Sequence, residues 1–251
     1  MPSSADEPLD SYFVCATPRT GSSLLLGLLE STGVAGRPEA YFRAPDEPMW
    51  ADRWRMPRTP GGGVDNADFV RRARAAGTTG NGVFGAKLMW GTLDEVFDKL
   101  GAVHPDLAGQ DVALLERAFG HCRFGYLRRD DVLAQAVSWL RAEQTGTWYV
   151  GDAGRNDREP SFDPAGIGGL VRLIDEHNAA WERWFSSSGI RPHRVCYERL
   201  GADLAGVTRG ILYFLGLDLP DGAAIAPRHE RQADDLNERW IERYRTTVTE
   251  G

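Results

Sequence analysis

The stretch TPRTGSSLLLGLLES, residues 17–31, decides how the rest of the chain is read. The apolar run YFVCA at 12–16 has the character of a buried strand, and 22–31 that of a leucine-rich helix opening on small hydroxyl residues suited to its cap. Strand, tight turn and helix make an α/β opening. The N-terminus of such a helix holds anions, because its first N–H groups are unpaired and carry a partial positive charge. A nucleotide-binding Walker A loop reads G-x-x-x-x-G-K-S/T, with the lysine on the outer phosphates and the hydroxyl on magnesium. Here Gly21 is followed by Ser22 and Ser23, and the cation of the turn is Arg19. An arginine keeps its charge and offers several donors. The loop therefore suits a phosphate-sized anion and fits a triphosphate–magnesium complex poorly.

Working outward, VFGAKLMW at 83–90 reads as a second strand, and Leu93, Val96, Phe97 and Leu100 as the spacing of a following helix. CRFGYL at 122–127 is a third strand, running into a helix marked by Val132, Leu133, Ala136, Val137 and Leu140. Ile167, Leu170, Val171, Ile174, Trp181 and Phe185 give a long amphipathic helix, and RVCYE at 194–198 a fourth strand. Leu204, Val207, Ile211, Leu212 and Leu215 form a helix ended by Gly216, and 234–248 a last one with Leu236, Trp240 and Tyr244 as its core stripe. Strands alternating with helices predict a single α/β domain over 11–249, a mainly parallel sheet between helical layers with ligands at the strands' carboxyl ends. Residues 1–10 read as a flexible N-terminus, and 56–66 and 150–163 as long loops, each open to a lid role or to none.

At 251 residues, 42% hydrophobic and 26% charged, the composition is that of an ordinary soluble globule. A net charge of −7 excludes broad electrostatic binding to nucleic acid or an anionic membrane, so any anion must be met locally. Cys15, Cys122 and Cys196 are widely spaced, each in or beside an apolar run, without a CxxC or Cys/His pairing. They read as buried free thiols, and no metal site is expected. The acidic start MPSSADEPLD lacks the basic and apolar regions of a signal peptide, and the run 24–29 is too short to span a bilayer. The expectation is a cytoplasmic enzyme without membrane insertion.

Arg128 and Arg129 close the third strand, which a parallel sheet sets beside the first, and Ser138 lies nine residues past Arg129. RRDD is then either a solvated turn or a second anion corner. Two such corners fit a ligand with two separated anionic groups.

The blocks TPRTGSSLL, GVAGRPEAYF, GAKLMW, RRDDVLAQAVSWLRAEQTGTW and HERQADDLNERWIERYR run in order from Thr17 to Arg245. Together they resemble the trehalose 2-sulfotransferase family, a bacterial branch of the sulfotransferases that use 3'-phosphoadenosine-5'-phosphosulfate (PAPS). The resemblance implies a P-loop-like three-layer fold, with Pro18, Arg19, Thr20, Gly21, Ser22 and Ser23 holding the 5'-phosphosulfate. It implies Arg129 and Ser138 at the 3'-phosphate, Tyr197 on adenine, and Arg231 and Gln232 in a late loop closing over the 3'-phosphate. Trp90, Gln144, Thr145 and Trp148 match acceptor positions, and Lys87 is a candidate to touch the acceptor or the sulfuryl group. Core packing competes as a reading for Tyr197 and the tryptophans, and a solvated charge for Arg231 and Lys87.

Sulfuryl transfer builds negative charge on the oxygen bridging to the departing phosphate, where Arg19 and the loop N–H groups would stabilise it without a metal. The acceptor hydroxyl needs a general base. In the family that base is a carboxylate just ahead of an aromatic pair, which register on Tyr41 and Phe42 puts at Ala40; the nearest carboxylate is Glu39. Three solutions stay open: Glu39 re-aimed by a turn, His104 in its place, or an acceptor as acidic as a phenol. The departure counts against trehalose itself and leaves a small-molecule hydroxyl, on a sugar, glycolipid, nucleoside or other secondary metabolite. Homodimerisation follows from the resemblance alone. The alternatives are a kinase-like ATP-dependent transferase, which the missing lysine disfavours, and a nucleotide-binding module without activity.

Overall fold

The computed structural model describes residues 9–148, 159–228 and 235–249. The elements in order are β1 (Ser11–Ala16), α1 (Ser22–Ser31), α2 (Glu47–Arg53), α3 (Asn66–Gly77), β2 (Phe84–Met89), α4 (Leu93–Val103), α5 (Asp111–Phe119), β3 (Cys122–Arg128), α6 (Val132–Thr145), α7 (Pro164–Ser187), β4 (His193–Cys196), α8 (Tyr197–Ala202), α9 (Leu204–Leu215) and α10 (Asp235–Thr249). Short 3-10 turns lie at Ala44–Asp46 and Pro105–Leu107.

All six residues of β1 are buried, as a strand covered on both faces requires. The described strands form one parallel sheet ordered β2-β1-β3-β4. The chain leaves β1 to reach β2 on one side and later β3 on the other, so a crevice opens outside the carboxyl end of β1, where α/β sheets place their ligands. The expected α/β architecture is the one observed.

Alternation along β1 divides the core. Phe13 and Cys15 face one layer with Phe84, Phe119, Phe124, Trp181 and Phe185. Tyr12, Val14 and Ala16 face the other with Leu25 and Leu28 of α1, Val195 and Ile211. A third cluster joins α6, α7 and α10, where Trp240 is buried and Tyr244 packs against it. No helix among the described residues is long and apolar enough to cross a membrane.

The helices α2, α3 and α5 are additions to what periodicity suggested, and α3 opens directly from the loop at 56–66 on an N-cap, Asp65, that accepts from the Asp68 N–H. Of the second long segment, 150–158 lies outside the described residues, and the rest leads to Asp163, the N-cap of α7. The stretch RVCYE is corrected: the strand stops at Cys196, and Tyr197 and Glu198 begin α8. The physical reason is that Glu198, exposed beyond the edge strand, takes the backbone N–H groups of Asp130 and Asp131 at 3.2 Å instead of extending the ladder.

The Tyr12 hydroxyl, fully buried, donates to the Ala35 carbonyl at 2.6 Å and ties β1 to the chain after α1. Tyr12→Phe is expected to lower stability by about 1–3 kcal/mol in urea unfolding, because the buried carbonyl loses its partner. An unchanged midpoint and slope would contradict this role.

Candidate active site

Two residues in left-handed backbone build the turn after β1: Arg19 at φ 65° and Gly21 at φ 81°. A non-glycine residue holds that conformation only where its surroundings impose it. Here α6 does so. Gln135, with no exposed surface, donates its Nε2 to the Thr17 hydroxyl at 2.9 Å and to the Pro18 carbonyl at 2.7 Å. The buried Thr20 hydroxyl donates to the Thr17 carbonyl at 2.9 Å. Below the turn, the Ala16 carbonyl accepts from the Trp90 N–H at 3.1 Å and the Trp181 indole at 3.0 Å. Gly21 caps α1 without a side chain, so the first-turn N–H groups, those of Ser22 and Ser23 among them, face the crevice.

The Arg19 side chain runs toward α6. Its Nε donates to Ser138 Oγ at 3.0 Å and one terminal nitrogen to the Trp148 carbonyl. Arg19 and Ser138, read from the sequence as belonging to separate anion corners, therefore meet in one. Arg129 lies over the Tyr197 ring, 4.8 Å from its centroid. That ring also packs on Gly21 so closely that a Cβ there would overlap it. Burial first, then the charges of Arg129 and Arg141, bring the Arg19 guanidinium down to about 10, with Tyr197 opposing. It stays protonated at neutral pH, among like charges. Arg141, three residues past Ser138 on α6 and bonded to Asn237 of α10 at 2.7 Å, was not singled out in the sequence, although that i, i+3 spacing was the available signal.

The β2 side carries the other polar groups. The Lys87 ammonium donates to Ser22 Oγ at 3.4 Å. Residue 39 forms a parallel bridge with Ala86, and the Lys87 N–H donates to the Glu39 carbonyl at 2.9 Å. Glu39 is thus half-buried at the open edge of β2. Burial pushes its carboxyl above the usual range, Lys87 and Arg53 pull it back, and Asp46 adds to the rise. Burial likewise lowers Lys87, with Glu39 opposing. Arg228, also missed in the sequence, donates to Glu39 Oε1 at 2.5 Å. The alternative base, His104, caps the C-terminal end of the 11-residue α4, ~16 Å along the axis from that helix's start.

Trp90 is half-buried and packs edge-on against Trp181, ring centroids 5.0 Å apart. Gln144 engages both ends of its amide with the Ser161 backbone, at 3.0 and 2.8 Å. The Thr145 hydroxyl donates to the Arg141 carbonyl at 2.9 Å and accepts from the Thr147 N–H at 3.2 Å. These two residues finish α6 and hold the segment before α7. Trp148 is 38% exposed beside the arginine its carbonyl accepts from. Arg231 and Gln232 lie outside the described residues. Cys15 and Cys122 are buried free thiols; Cys196 is only half-buried and donates to Asp130 at 3.2 Å and Glu198 at 3.1 Å. Ligand atoms of these last three lie within 4.8 Å of one another, but the Glu198 oxygens already accept backbone N–H groups.

The chain is 30% identical over 256 residues to a trehalose 2-sulfotransferase of Mycobacterium tuberculosis, covering 93% of this chain and 94% of that one. It is 29% identical over 274 residues to a trehalose 2-sulfotransferase of Mycolicibacterium smegmatis, covering 96% of each. The backbone superposes loosely, with a TM-score of 0.48 and 14% identity over 97% of this chain and 90% of the other, on the sulfotransferase domain of the Synechococcus PCC 7002 olefin synthase. Residues 11–247 match the family model of the Stf0 sulphotransferases, and the chain belongs to that family.

Proposed function

We propose that the protein transfers a sulfuryl group from PAPS to a hydroxyl of a small-molecule acceptor. The observation that carries this reading is the bond of Arg19 to Ser138 of α6 beside the uncapped first turn of α1, with Arg129 stacked on the Tyr197 ring that packs on Gly21. Guanidinium groups beside the free N–H groups of a helix start form a lining suited to phosphate-type anions. A donor with anionic groups at both ends of an adenosine fits such a crevice. In this reading Arg19 and the N–H groups of Gly21, Ser22 and Ser23 hold the 5' end, Arg129 the 3'-phosphate and Tyr197 the adenine, with Ser138 shared between the two phosphate positions through its bond to Arg19 and with Arg231 and Gln232 assigned to the 3' end.

When bound, PAPS supplies an activated sulfuryl group whose S–O bond to the phosphate breaks as the acceptor oxygen bonds to sulfur. Arg19 and the first turn of α1 face the charge left on that phosphate, from positions fixed in advance by Gln135 and Ser138. Lys87, bonded to the first helical hydroxyl, supplies a further positive group on the acceptor side. Glu39 takes the hydroxyl proton, and its half-burial makes it a stronger base than an exposed carboxylate. Trp90 and Trp148 offer ring faces near the acceptor. The positive charge comes from arginines, so the transfer is proposed to run without a metal.

The direct experiment is a sulfur-labelled PAPS assay against a broad panel of hydroxylated acceptors, with products identified by mass; label transfer unaffected by chelator is expected, and activity restored only by magnesium would refute the metal-free route. Glu39→Gln is expected to slow turnover on the accepted substrate by ~10²-fold or more and to remove an acid limb lying above the ordinary carboxylate range. A near-normal rate would remove Glu39 from the chemistry. Gly21→Ala forces a side chain into the left-handed turn and the Tyr197 ring. Calorimetry with adenosine 3',5'-bisphosphate should then record at least a tenfold weaker Kd, about 1.4 kcal/mol. Equal affinity, or tighter binding of ATP–magnesium by the native protein, would count against the assigned loop.

A further inference from the structure

The chain beyond α9 returns to α1 and docks there at successive points. Ile225 packs on the apolar layer that α1 covers. The Ala226 N–H donates to Ser31 Oγ at 3.0 Å. At Arg228 the backbone passes so close to Gly27 that a Cβ on the glycine would lie 2.7 Å from Arg228 Cβ and 3.0 Å from its nitrogen. From this anchored position the Arg228 guanidinium spans two carboxylates, one terminal nitrogen bonding Glu30 of α1 and the other lying 2.5 Å from Glu39 Oε1. All three side chains are about one-third exposed, so solvent screens these pairs in part, and it is the fork of one guanidinium across two carboxylates that fixes the geometry.

We propose that Arg228 is the positioning residue of Glu39: it holds Oε1, fixes the carboxylate at the edge of β2, and leaves Oε2 to receive the acceptor proton. This rests on the reading of Glu39 as the base. A glutamate has three rotatable side-chain bonds, and Glu39 makes an isolated bridge just before a turn rather than lying in a regular strand, so its own backbone does not settle where the carboxylate points. The charged and titratable groups around it are Lys87 on β2, Arg53 on α2, Asp46 in the turn at 44–46, Tyr41 on its own segment, and Arg228 together with Glu30. Among the described residues, Arg228 is the side chain that hydrogen-bonds the carboxylate. Glu30 in turn holds the second terminal nitrogen, which stops the guanidinium from swinging away. Gly27 is thus the residue that admits the arrangement, 12 positions before the carboxylate it serves.

The test is Arg228→Met, with kcat, KM and the pH profile measured on the same acceptor, and donor affinity measured separately with adenosine 3',5'-bisphosphate. A misplaced base is expected to lower kcat by ~10- to 10²-fold. Loss of the neighbouring cation moves the acid limb to higher pH, because the carboxyl then protonates more readily. Nucleotide Kd should stay within about twofold, and in a Glu39→Gln background Arg228→Met should cause no further loss, since both act through one group. Arg228→Lys, which keeps the charge but not the fork, should recover part of the rate. Gly27→Ala, which displaces Arg228 from outside the site, should lower kcat in the same sense and serves if Arg228→Met does not fold. If Glu39→Gln is slow while Arg228→Met keeps the native rate and pH profile, the positioning role is wrong and the base survives. The role is equally wrong if the two losses multiply or if nucleotide affinity collapses. If Glu39→Gln runs at the native rate, the base falls first, whatever Arg228 does.

Discussion

Like charges from separate segments, set near the carboxyl ends of β1 and β3, are the constraint from which the rest of the site follows. Arg19, Arg129 and Arg141 come from three different segments, and nothing in their own chemistry favours company. Among the groups that position them are neutral ones on the first and the last of the three. Gln135 fastens the turn that carries Arg19, Ser138 accepts from its Nε, the Trp148 carbonyl accepts from its end, and Asn237 accepts from Arg141. The cost of assembling the cations is met by folding, before any ligand arrives. An anion that enters meets donors already in place, and its binding stabilises the folded state by mass action.

The β1–α1 unit was legible in the sequence because the physics there is local. A strand buried at all six positions must be a continuous apolar run, and a helix that opens on a glycine and two serines advertises its start. The same holds for β2, β3 and α9, whose patterns were read nearly to their ends. The helices α2, α3 and α5 were not legible for a related reason. α2 and α3 cover one face of the aromatic layer with few buried apolar residues each, and α3 carries Arg71, Arg72 and Arg74 on the rest of its surface, whereas α5 brings Leu114, Leu115, Ala118 and Phe119 to that layer on only nine residues. Tyr197 was placed on a strand because CYE looks extended; what turned it into a helix start was the hydrogen bonding of Glu198 to a loop 67 and 68 residues away.

Within the site, residue types were readable and partnerships were not. The charge of Arg19 and the turn around it were plain, yet its bond to Ser138 spans 119 residues of sequence. Gln135 is hidden in the opposite way: an amide among Ala134, Ala136 and Val137 looks like an ordinary polar residue on an amphipathic helix, and only the fold aims it at Thr17 and Pro18. Gln144 and Thr145 match acceptor positions by type, but their hydrogen bonds go to Ser161, Arg141 and Thr147. Arg228 had no signal at all, since its meaning comes from Gly27 and two carboxylates in a distant part of the chain.

The displaced carboxylate shows how much this matters. Along a regular strand, a one-residue shift turns a side chain to the opposite face. Glu39, however, makes a single isolated bridge, and the chain leaves the extended form at once into the turn that begins at Tyr41. Alternation therefore does not decide the direction of Glu39; the cations at Lys87 and Arg228 do, from two separate elements. On the proposed function, the base then stands on a backbone position one residue earlier than in the resembling family, a displacement of ~3.3 Å along an extended chain. Proton transfer tolerates no such gap between hydroxyl and carboxylate, so on this reading either the side chain of Glu39 closes the distance or the acceptor brings its hydroxyl from a different point. The same shift that leaves the donor corner untouched is thus a reason to look for an acceptor other than trehalose.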